Sequence, residues 1–449
     1  MFAIEKKYRV LLIFIVFTTN NGFAWLMFEP VTKWLQDNVE GMSHFQLAVL
    51  ASWQPAVFIA MCIPIMKMVT RFDGLRLAVR LGTTAEIVGA VLKLIGTLAR
   101  KSKAGLVFLH IGQIFSGVGS PVATGCVSAL SATWFEPEER TRATAAAVLF
   151  NTVGNALCYL LVPLMTDGSG FLLVTIYEVI MAVIAVGLAW VAMPQELVEH
   201  HDANGETTTD ETKDEATEQE VLAANKEHDS LREQIVKLFK MPSIVCLLLV
   251  YAWLCGGFAA WVSLFSATYN QFFGDKFIGF MCCAGMSAYV LGGLVSSYVV
   301  DLYFTRQMKY VIFFCLTMTT LCNLIFIACT PNDKGYYLWN LGKGFVIFST
   351  ALCGFWNGAA APLFYELVAE ISFPVEEGVS GICVSIFENL GALLFLQVVY
   401  QKFKGQSMSV AYAFGMTVAL ALTAIVKQRY NRTYYNYITE NQTEVPQEE

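Results

Sequence analysis

The sequence predicts an all-α, polytopic membrane protein whose twelve transmembrane helices form two pseudo-symmetric six-helix bundles. Three observations predict this class: an apolar composition, twelve apolar windows of spanning length, and short motifs repeated on either side of an acidic stretch. Of the 449 residues, 56% are hydrophobic and 14% are charged, whereas soluble proteins average about 45–50% and about 25%. Together with a net charge of −7, this composition excludes a soluble enzyme and a nucleic-acid-binding protein.

Twelve uninterrupted apolar windows are each long enough for a helix that crosses the hydrocarbon core, which needs about 20 residues. The first window lacks a small-residue cleavage site and leads into a polar stretch, so we expect a membrane helix there and not a signal peptide. The windows lie at roughly 9–28, 46–68, 75–98, 104–132, 142–165, 171–193, 244–270, 277–301, 308–330, 338–370, 379–401 and 408–427.

One long polar stretch divides the windows into six and six. It is acidic and almost free of aromatic residues, so most of it cannot bury enough apolar surface to fold. The apolar residues of its last part, 231–239, share one helical face, which predicts a short amphipathic helix on the membrane surface. The predicted organisation is an N-terminal bundle over 1–193, a linker over 194–243, a C-terminal bundle over 244–427 and a tail over 428–449.

Lys and Arg are more numerous in the loops on the N-terminal side than in the opposite loops. Because basic residues are retained in the cytoplasm, we expect both termini and the linker to be cytoplasmic. The tail contains Tyr435-Asn436-Tyr437-Ile438, a pattern that sorting adaptors bind as an extended peptide. The alternative is an aromatic cluster that anchors the last helix at the membrane interface.

Two short motifs recur in the two halves at nearly the same offset. A parallel repeat of six helices is typical of transporters that alternate access around a site near the membrane midplane. Gly22-Phe23-Ala24 recurs as Gly257-Phe258-Ala259, each close to a tryptophan, and Phe135, Glu138, Glu139 and Asn151 recur as Phe373, Glu376, Glu377 and Asn389.

Three stretches carry a family resemblance: GFWNGAAAPLFYELVAEISFPVEEGVSG at 354–381, LSATWFEPEERTRATA at 130–145, and Trp53 with Pro55 followed by Gly74-Leu75-Arg76. On these residues the chain resembles the major facilitator superfamily and, within it, solute carrier family 49, which includes the feline leukaemia virus subgroup C receptor-related proteins. The resemblance implies the major facilitator fold, transport of pyridoxine, choline, ethanolamine or haem, and, in one branch, a lysosomal location. Ser120 and Ala259 stand where choline-handling members carry Gln and Tyr, which weakens the transfer of choline specificity.

Polar residues inside the predicted helices are the candidates for a substrate site, because an unpaired polar group in hydrocarbon is costly. Asn21 and Trp25 share one helical stripe with Glu29. Trp25 and its repeat partner Trp261 could sandwich a flat or cationic solute; the alternative is that both pack between helices. The expected substrate-binding set is Asn21, Trp25, Ser120, Asn151, Trp261, Asn357 and Asn389.

A second set of charged residues is expected to carry protons or to gate the transporter. Glu366 and Glu370 lie one helical turn apart, where ion pairs with Arg140, Arg142 or Arg306 would latch the two halves. Glu86 lies deep in the third helix, where Lys93 on the same face is expected to neutralise it. The full set is Glu86, Asp301, Arg306, Glu366, Glu370 and Glu388.

The sequence therefore predicts a monomeric, proton-coupled secondary transporter of a small vitamin-like or cationic solute such as pyridoxine. It contains no GxxxxGK[ST] nucleotide-binding loop and no HExxH metal motif, so we expect neither a cofactor, nor a metal, nor an enzymatic activity. All twelve cysteines fall inside predicted helices, where they act as packing residues. The alternatives are a facilitative choline or ethanolamine transporter, a haem exporter, and a receptor or scaffold that does not transport.

Overall fold

The computed structural model describes residues 5–69, 71–195, 198–201, 207–210, 231–304, 307–332, 334–403 and 405–433. Within these residues, twelve helices are long and apolar enough to cross a bilayer, as the sequence predicts. Spans 1 to 6 are Lys6–Asn38, His44–Val69, Gly74–Leu98, Lys103–Gly125, Ala146–Thr166 and Leu172–Val191. Spans 7 to 12 are Pro242–Ser263, Asp275–Val300, Met308–Cys329, Lys343–Ser372, Glu377–Lys402 and Gln406–Ile425.

Four spans change helical geometry part-way through the membrane. Span 1 is an α-helix over Lys6–Leu26, a 3-10 turn over Glu29–Val31 and an α-helix over Thr32–Asn38. Wide π-helical turns, which are frequent at functional sites, interrupt spans 4, 7 and 11 at Pro121–Gly125, Ala252–Gly256 and Phe395–Val399.

Several described elements lie outside the spans or extend them. Val127–Trp134 continues span 4, Phe265–Phe273 continues span 7, and the helices of spans 5 and 8 run over Pro137–Ser169 and Asp275–Tyr303. Between the bundles, a helix covers Leu231–Phe239, and two strands, Val198–His201 and Thr207–Asp210, pair antiparallel.

Because the number of spans among the described residues is even, the first and last described residues lie on one side of the membrane, named here the terminal side. On the opposite, far side, side chains join the two bundles. The hydroxyls of Thr32 and Ser266 hydrogen-bond at 2.9 Å between spans 1 and 7. The Gln397 amide donates to the Ser52 hydroxyl at 2.7 Å between spans 11 and 2. The bundles are therefore in contact at the far side.

The same close backbone crossing occurs in both bundles. Gly22 of span 1 faces the carbonyl of Asn151 in span 5, and Gly256 of span 7 faces the carbonyl of Glu388 in span 11. A Cβ atom on these glycines would lie 2.1 and 2.0 Å from the two oxygens. In the structure, Asn151 of one bundle therefore corresponds to Glu388 of the other. The sequence repeat pairs Asn151 with Asn389, one residue further on. The two differ because the backbone crossing, and not the residue type, determines which positions are equivalent.

The glycine crossing between spans 7 and 11 makes a testable prediction. Gly256→Ala should lower the free energy of unfolding by about 1–3 kcal/mol, because the added methyl group meets backbone that cannot move aside. At the neighbouring Gly257 a Cβ would make ordinary contact with the Tyr412 ring at 3.4 Å, so Gly257→Ala is the matched control. Thermal unfolding of the purified variants in detergent measures the difference, and equal stability of the two would contradict the crossing.

Candidate functional site

A buried carboxylate in the N-terminal bundle is held by two asparagines of span 1. The Asn21 amide donates to Glu86 Oε1 at 2.8 Å and the Asn20 amide donates to Glu86 Oε2 at 2.8 Å. Glu86 is only 1% exposed, and a buried carboxylate needs such hydrogen-bond donors to be tolerated. Each oxygen of Glu86 is therefore matched to a neutral donor.

Asn21 extends this network to two further spans. Its Oδ1 atom accepts hydrogen bonds from the Gln54 amide of span 2 at 3.1 Å and from the Ser120 hydroxyl of span 4 at 3.4 Å. The structure thus brings together the predicted residues Asn21, Glu86 and Ser120. Sequence reasoning missed Asn20 and Gln54, because a single amide in a span has no spacing that separates a network member from a packing residue.

A second pair of buried charges lies in the same bundle, and it corrects one expectation. Lys93 of span 3 forms an ion pair with Glu178 of span 6, and both side chains are fully buried. The expected partner, Glu86, lies seven residues away on the same helix, which is about 10 Å along the axis. Lys93 therefore neutralises Glu178 by direct contact, whereas Glu86 is held by the neutral donors Asn20 and Asn21.

The predicted cavity residues Trp25 and Asn151 are both half-buried, and their polar groups bind backbone. Trp25 Nε1 donates to the Ala51 carbonyl at 3.2 Å, and the Asn151 amide donates to the Thr18 carbonyl at 3.1 Å. These bonds fix the orientation of both side chains while leaving part of each exposed.

Trp261 and Asn357 lie instead in the packed interior of the C-terminal bundle. Trp261 is 0% exposed, stacks on Tyr412 with ring centroids 5.1 Å apart, and donates from Nε1 to the Ser409 hydroxyl at 2.9 Å. The Asn357 amide donates to the Leu254 carbonyl at 2.8 Å. This is the packing alternative, so the expected sandwich between Trp25 and Trp261 is not formed, and we remove Trp261 from the substrate-contact set.

Glu388 of span 11 lies among tyrosines that sequence reasoning did not select. Its carboxylate interacts electrostatically with Tyr251, Tyr289 and Tyr365, which come from spans 7, 8 and 10; these three residues are named here the tyrosine cluster. The rings of Tyr251 and Tyr365 meet edge to face, with centroids 5.6 Å apart. Aromatic rings close to a negative charge are a combination that can bind organic cations.

Tyr289, Tyr365 and Glu388 are half-buried, whereas Tyr251 is buried. The predicted residue Asn389 is also half-buried, and its amide donates to the carbonyl of Ser385 in its own helix at 2.8 Å. The Tyr365 and Ser385 hydroxyls hydrogen-bond at 3.0 Å. No spacing in the sequence connects tyrosines from three different spans, which is why the cluster emerges only from the fold.

On the terminal side, Glu366 and Glu370 bind Arg432 of the C-terminal tail. The Arg432 guanidinium donates to Glu366, Glu370 and Glu377 at 2.8, 3.1 and 2.5 Å. Burial alone would lower the pKa of Arg432, but the charges of Glu366 and Glu377 outweigh it and raise that pKa. All four residues belong to the C-terminal half, so this cluster does not latch one half to the other.

Glu366 and Glu370 bind Arg432 because the tail turns back onto the end of span 10; their ion pairs with Arg140, Arg142 or Arg306 stay a prediction. The Thr433 hydroxyl also donates to Glu370 at 2.9 Å. Several predicted residues fall outside the described part of the structure: the side chains of Arg140, Arg142 and Asp301, the residue Arg306, and the adaptor motif Tyr435–Ile438.

The N-terminal bundle has a comparable contact at the equivalent loop. Lys7 donates from Nζ to Glu139 at 2.7 Å, and Glu139 is the repeat partner of Glu377 in the sequence. Lys7 and Arg432 therefore each bind a glutamate in the first turn of the helix that forms span 5 or span 11. Among the described residues, no three His, Cys, Asp or Glu side chains come together as metal ligands would.

Comparison with known proteins supports the fold and the family. The sequence pattern of the Major Facilitator Superfamily matches residues 10–396. The solute carrier family 49 member 4 homolog of Xenopus tropicalis is 24% identical over 424 residues, which cover 88% of this chain and 86% of that protein. The choline/ethanolamine transporter FLVCR2 of Homo sapiens is 23% identical over 461 residues, which cover 99% of this chain and 82% of that protein.

A solved structure shows the same architecture. The crystal structure of a D-xylose-proton symporter superposes with a TM-score of 0.64 at 12% sequence identity, covering 94% of this chain and 99% of that one. These comparisons confirm the predicted fold class and the resemblance to solute carrier family 49.

The Arg432 cluster predicts a stabilising role for the tail. Arg432→Gln should lower the free energy of unfolding by about 1–3 kcal/mol, between the values for exposed and buried ion pairs. The loss follows because the buried Glu370 keeps its charge without its cation. Arg432→Lys should recover only part of the loss, since an ammonium cannot bridge three carboxylates as a guanidinium fork does.

Thermal unfolding in detergent measures this effect. The exposed neighbour Arg429 provides the control variant Arg429→Gln, which removes the same charge from the tail. Equal loss in the two variants would assign the effect to net charge and contradict the cluster.

Proposed function

The chain belongs to the Major Facilitator Superfamily and is a multi-pass membrane transporter. We propose that it carries a small organic cation or vitamin-like solute such as pyridoxine by alternating access, and that this transport is coupled to protons. The observation that carries this proposal is Glu388, a half-buried carboxylate beside the tyrosine cluster. A carboxylate offers a counter-charge, and the rings offer faces for an ammonium group or a pyridinium ring.

The substrate would lie between the two bundles, in contact with both. On the C-terminal side we assign Glu388, Asn389 and the exposed parts of the tyrosine cluster to substrate contact. On the N-terminal side we assign Trp25 and Asn151, which are half-buried with fixed orientations. A desolvated cation–π contact contributes about 2 kcal/mol, so several rings with one carboxylate suffice for micromolar binding.

Proton coupling is assigned to Glu86. A charged carboxylate only accepts hydrogen bonds, whereas a protonated one carries a donor on one oxygen. Protonation of Glu86 would therefore place a hydrogen on one oxygen and weaken the hydrogen bond that Asn20 or Asn21 donates to it. Because Asn21 also accepts bonds from Gln54 and Ser120, the change would spread to spans 2 and 4.

Alternating access requires the far-side contacts to open. The hydrogen bonds Thr32–Ser266 and Gln397–Ser52 join the bundles there, so both must break when the solute reaches its site from that side. The break in span 1 and the wide turns in spans 4, 7 and 11 are the points at which the helices can bend.

We propose residence in the lysosomal or late endosomal membrane, with both termini in the cytoplasm and the plasma membrane as the alternative. The excess of basic residues on the terminal side and the adaptor pattern Tyr435–Ile438 support this address. An acidic lumen would supply the proton gradient that coupling requires. The transporter would act as a monomer.

A second candidate is facilitative transport of choline or ethanolamine. The names of two relatives, the choline/ethanolamine transporters FLVCR2 of Homo sapiens and FLVCR1 of Mus musculus, favour it. It uses the same cation site but no proton, so a proton gradient separates the two candidates.

The experiment is radiolabelled uptake of pyridoxine, choline and ethanolamine into proteoliposomes, with and without an inward proton gradient. We expect saturable uptake of at least one solute, stimulated by the gradient. Glu388→Gln should reduce that uptake at least tenfold, because the counter-charge is lost while the shape is kept. The exposed far-side residue Glu40 provides the control variant Glu40→Gln.

Uptake at the same rate with and without the proton gradient would favour the facilitative candidate. Wild-type kinetics in Glu388→Gln would contradict the cation site, and no uptake of any solute would contradict the proposed substrate class.

A further inference from the structure

Span 1 is interrupted next to Trp25, and the interruption has a cap that comes from another span. The first helix of span 1 ends at Leu26, and the last four carbonyls of an α-helix have no partner within the helix. The buried Gln113 of span 4 donates from Nε2 to the carbonyls of Ala24 and Trp25, at 3.2 and 3.0 Å. Gln113 thus caps this helix end from outside.

The orientation of the Gln113 amide is set by Lys93. Lys93 Nζ donates to Gln113 Oε1 at 3.3 Å, and an ammonium group can only donate. The oxygen of Gln113 must therefore face Lys93, which turns its NH₂ group towards the carbonyls of span 1. Glu178 neutralises Lys93 from span 6, so the charge can stay in the interior.

The surrounding packing holds this arrangement tightly. A Cβ atom on Gly112 would lie 2.6 Å from the Lys93 side chain, so glycine at that position leaves the room that the lysine stem occupies. Gln113, Lys93 and Glu178 are each at most 1% exposed. These three side chains are therefore shielded from water.

Pro30 lacks a backbone N–H and clashes with the carbonyl four residues earlier, so it ends the first helix of span 1 at Leu26. We propose that the Lys93–Glu178 ion pair is a positioning device that orients Gln113 and thereby holds this helix end in place beside Trp25. The inference rests on the proposed function in one respect: Trp25 is taken to contact the substrate. Losing the cap would let the helix end shift and would move Trp25, which weakens substrate binding without removing any substrate contact directly. None of the three residues needs to touch the substrate.

The charge-swapped variant K93E/E178K separates this role from a purely structural one. The swap keeps an ion pair between spans 3 and 6, so it would have no effect if the pair only stabilised the fold. However, a carboxylate at position 93 can only accept, so it would draw the NH₂ group of Gln113 to itself and turn the oxygen against the carbonyls of Ala24 and Trp25. The swapped variant should therefore keep the stability that the ion pair provides but lose the cap on the helix end of span 1.

Gln113→Leu is the second variant, because it removes the cap while the ion pair stays in place. For both variants we expect a KM for pyridoxine or choline about tenfold higher, with the maximal rate changed much less. Gln113→Leu should also unfold at a lower temperature, because it leaves two carbonyls and Lys93 without that partner, so the exchange measurement and KM are compared at a temperature at which every variant is folded. Lys101→Gln in the exposed loop between spans 3 and 4 is the charge control.

Hydrogen–deuterium exchange of the peptide over residues 22–32 gives a readout that does not need transport. Exchange should be faster in Gln113→Leu and in the swapped variant than in the wild type and the Lys101 control. Wild-type exchange and KM in either variant would overturn the inference. Absence of transport in every protein would contradict the proposed function alone, since the exchange measurement would still decide the role of Gln113.

Discussion

Charge buried within a bundle of apolar helices is the constraint on which the rest of this structure depends. A charged group away from water is tolerated only when it is paired or fully hydrogen-bonded. Lys93 and Glu178 pair with each other, and Glu86 has a neutral donor on each oxygen. These requirements link side chains of spans 1, 3, 4 and 6, and through Gln113 they reach the helix end that carries Trp25.

The two bundles meet this constraint differently, although they share one backbone plan. The crossings at Gly22 and Gly256 each place a glycine against a backbone carbonyl of the partner span, yet the N-terminal interior holds four charged side chains: Glu29, Glu86, Lys93 and Glu178. The C-terminal interior instead holds Trp261 stacked on Tyr412. This asymmetry supports a division of labour in which the N-terminal bundle responds to protons and the C-terminal bundle supplies the aromatic, negatively charged face for the substrate.

The sequence predicts the twelve spans well, because spanning length and apolar composition are local properties. It also selects Asn21, Ser120 and Glu86, since polar residues in hydrocarbon are conspicuous. It does not predict their partners. Helical periodicity matches Lys93 to Glu86, but the partner of Lys93 is Glu178 of span 6. The cation that binds Glu366 is Arg432, which comes from the tail. Such partners depend on how distant segments pack, which no local pattern reports.

Trp261 shows that the sequence repeat does not predict how exposed a side chain is. Its repeat partner Trp25 is half-buried, whereas Trp261 is enclosed by Tyr412, Phe265 and Phe326. Equivalent positions in a duplicated fold can thus differ in exposure, because the surrounding side chains have diverged. In the proposed site, the tyrosine cluster from three spans supplies the aromatic faces that the sequence predicts from the tryptophan pair.

The central claim is that Glu86 binds the coupled proton while Glu388 binds the substrate. The most direct measurement is proton flux, recorded with a pH-sensitive dye trapped in proteoliposomes, after pyridoxine or choline is added outside at equal pH. For symport, the account predicts that the solute acidifies the lumen of wild-type vesicles, and that Glu86→Gln still takes up solute without acidification. Wild-type acidification by Glu86→Gln would contradict the account.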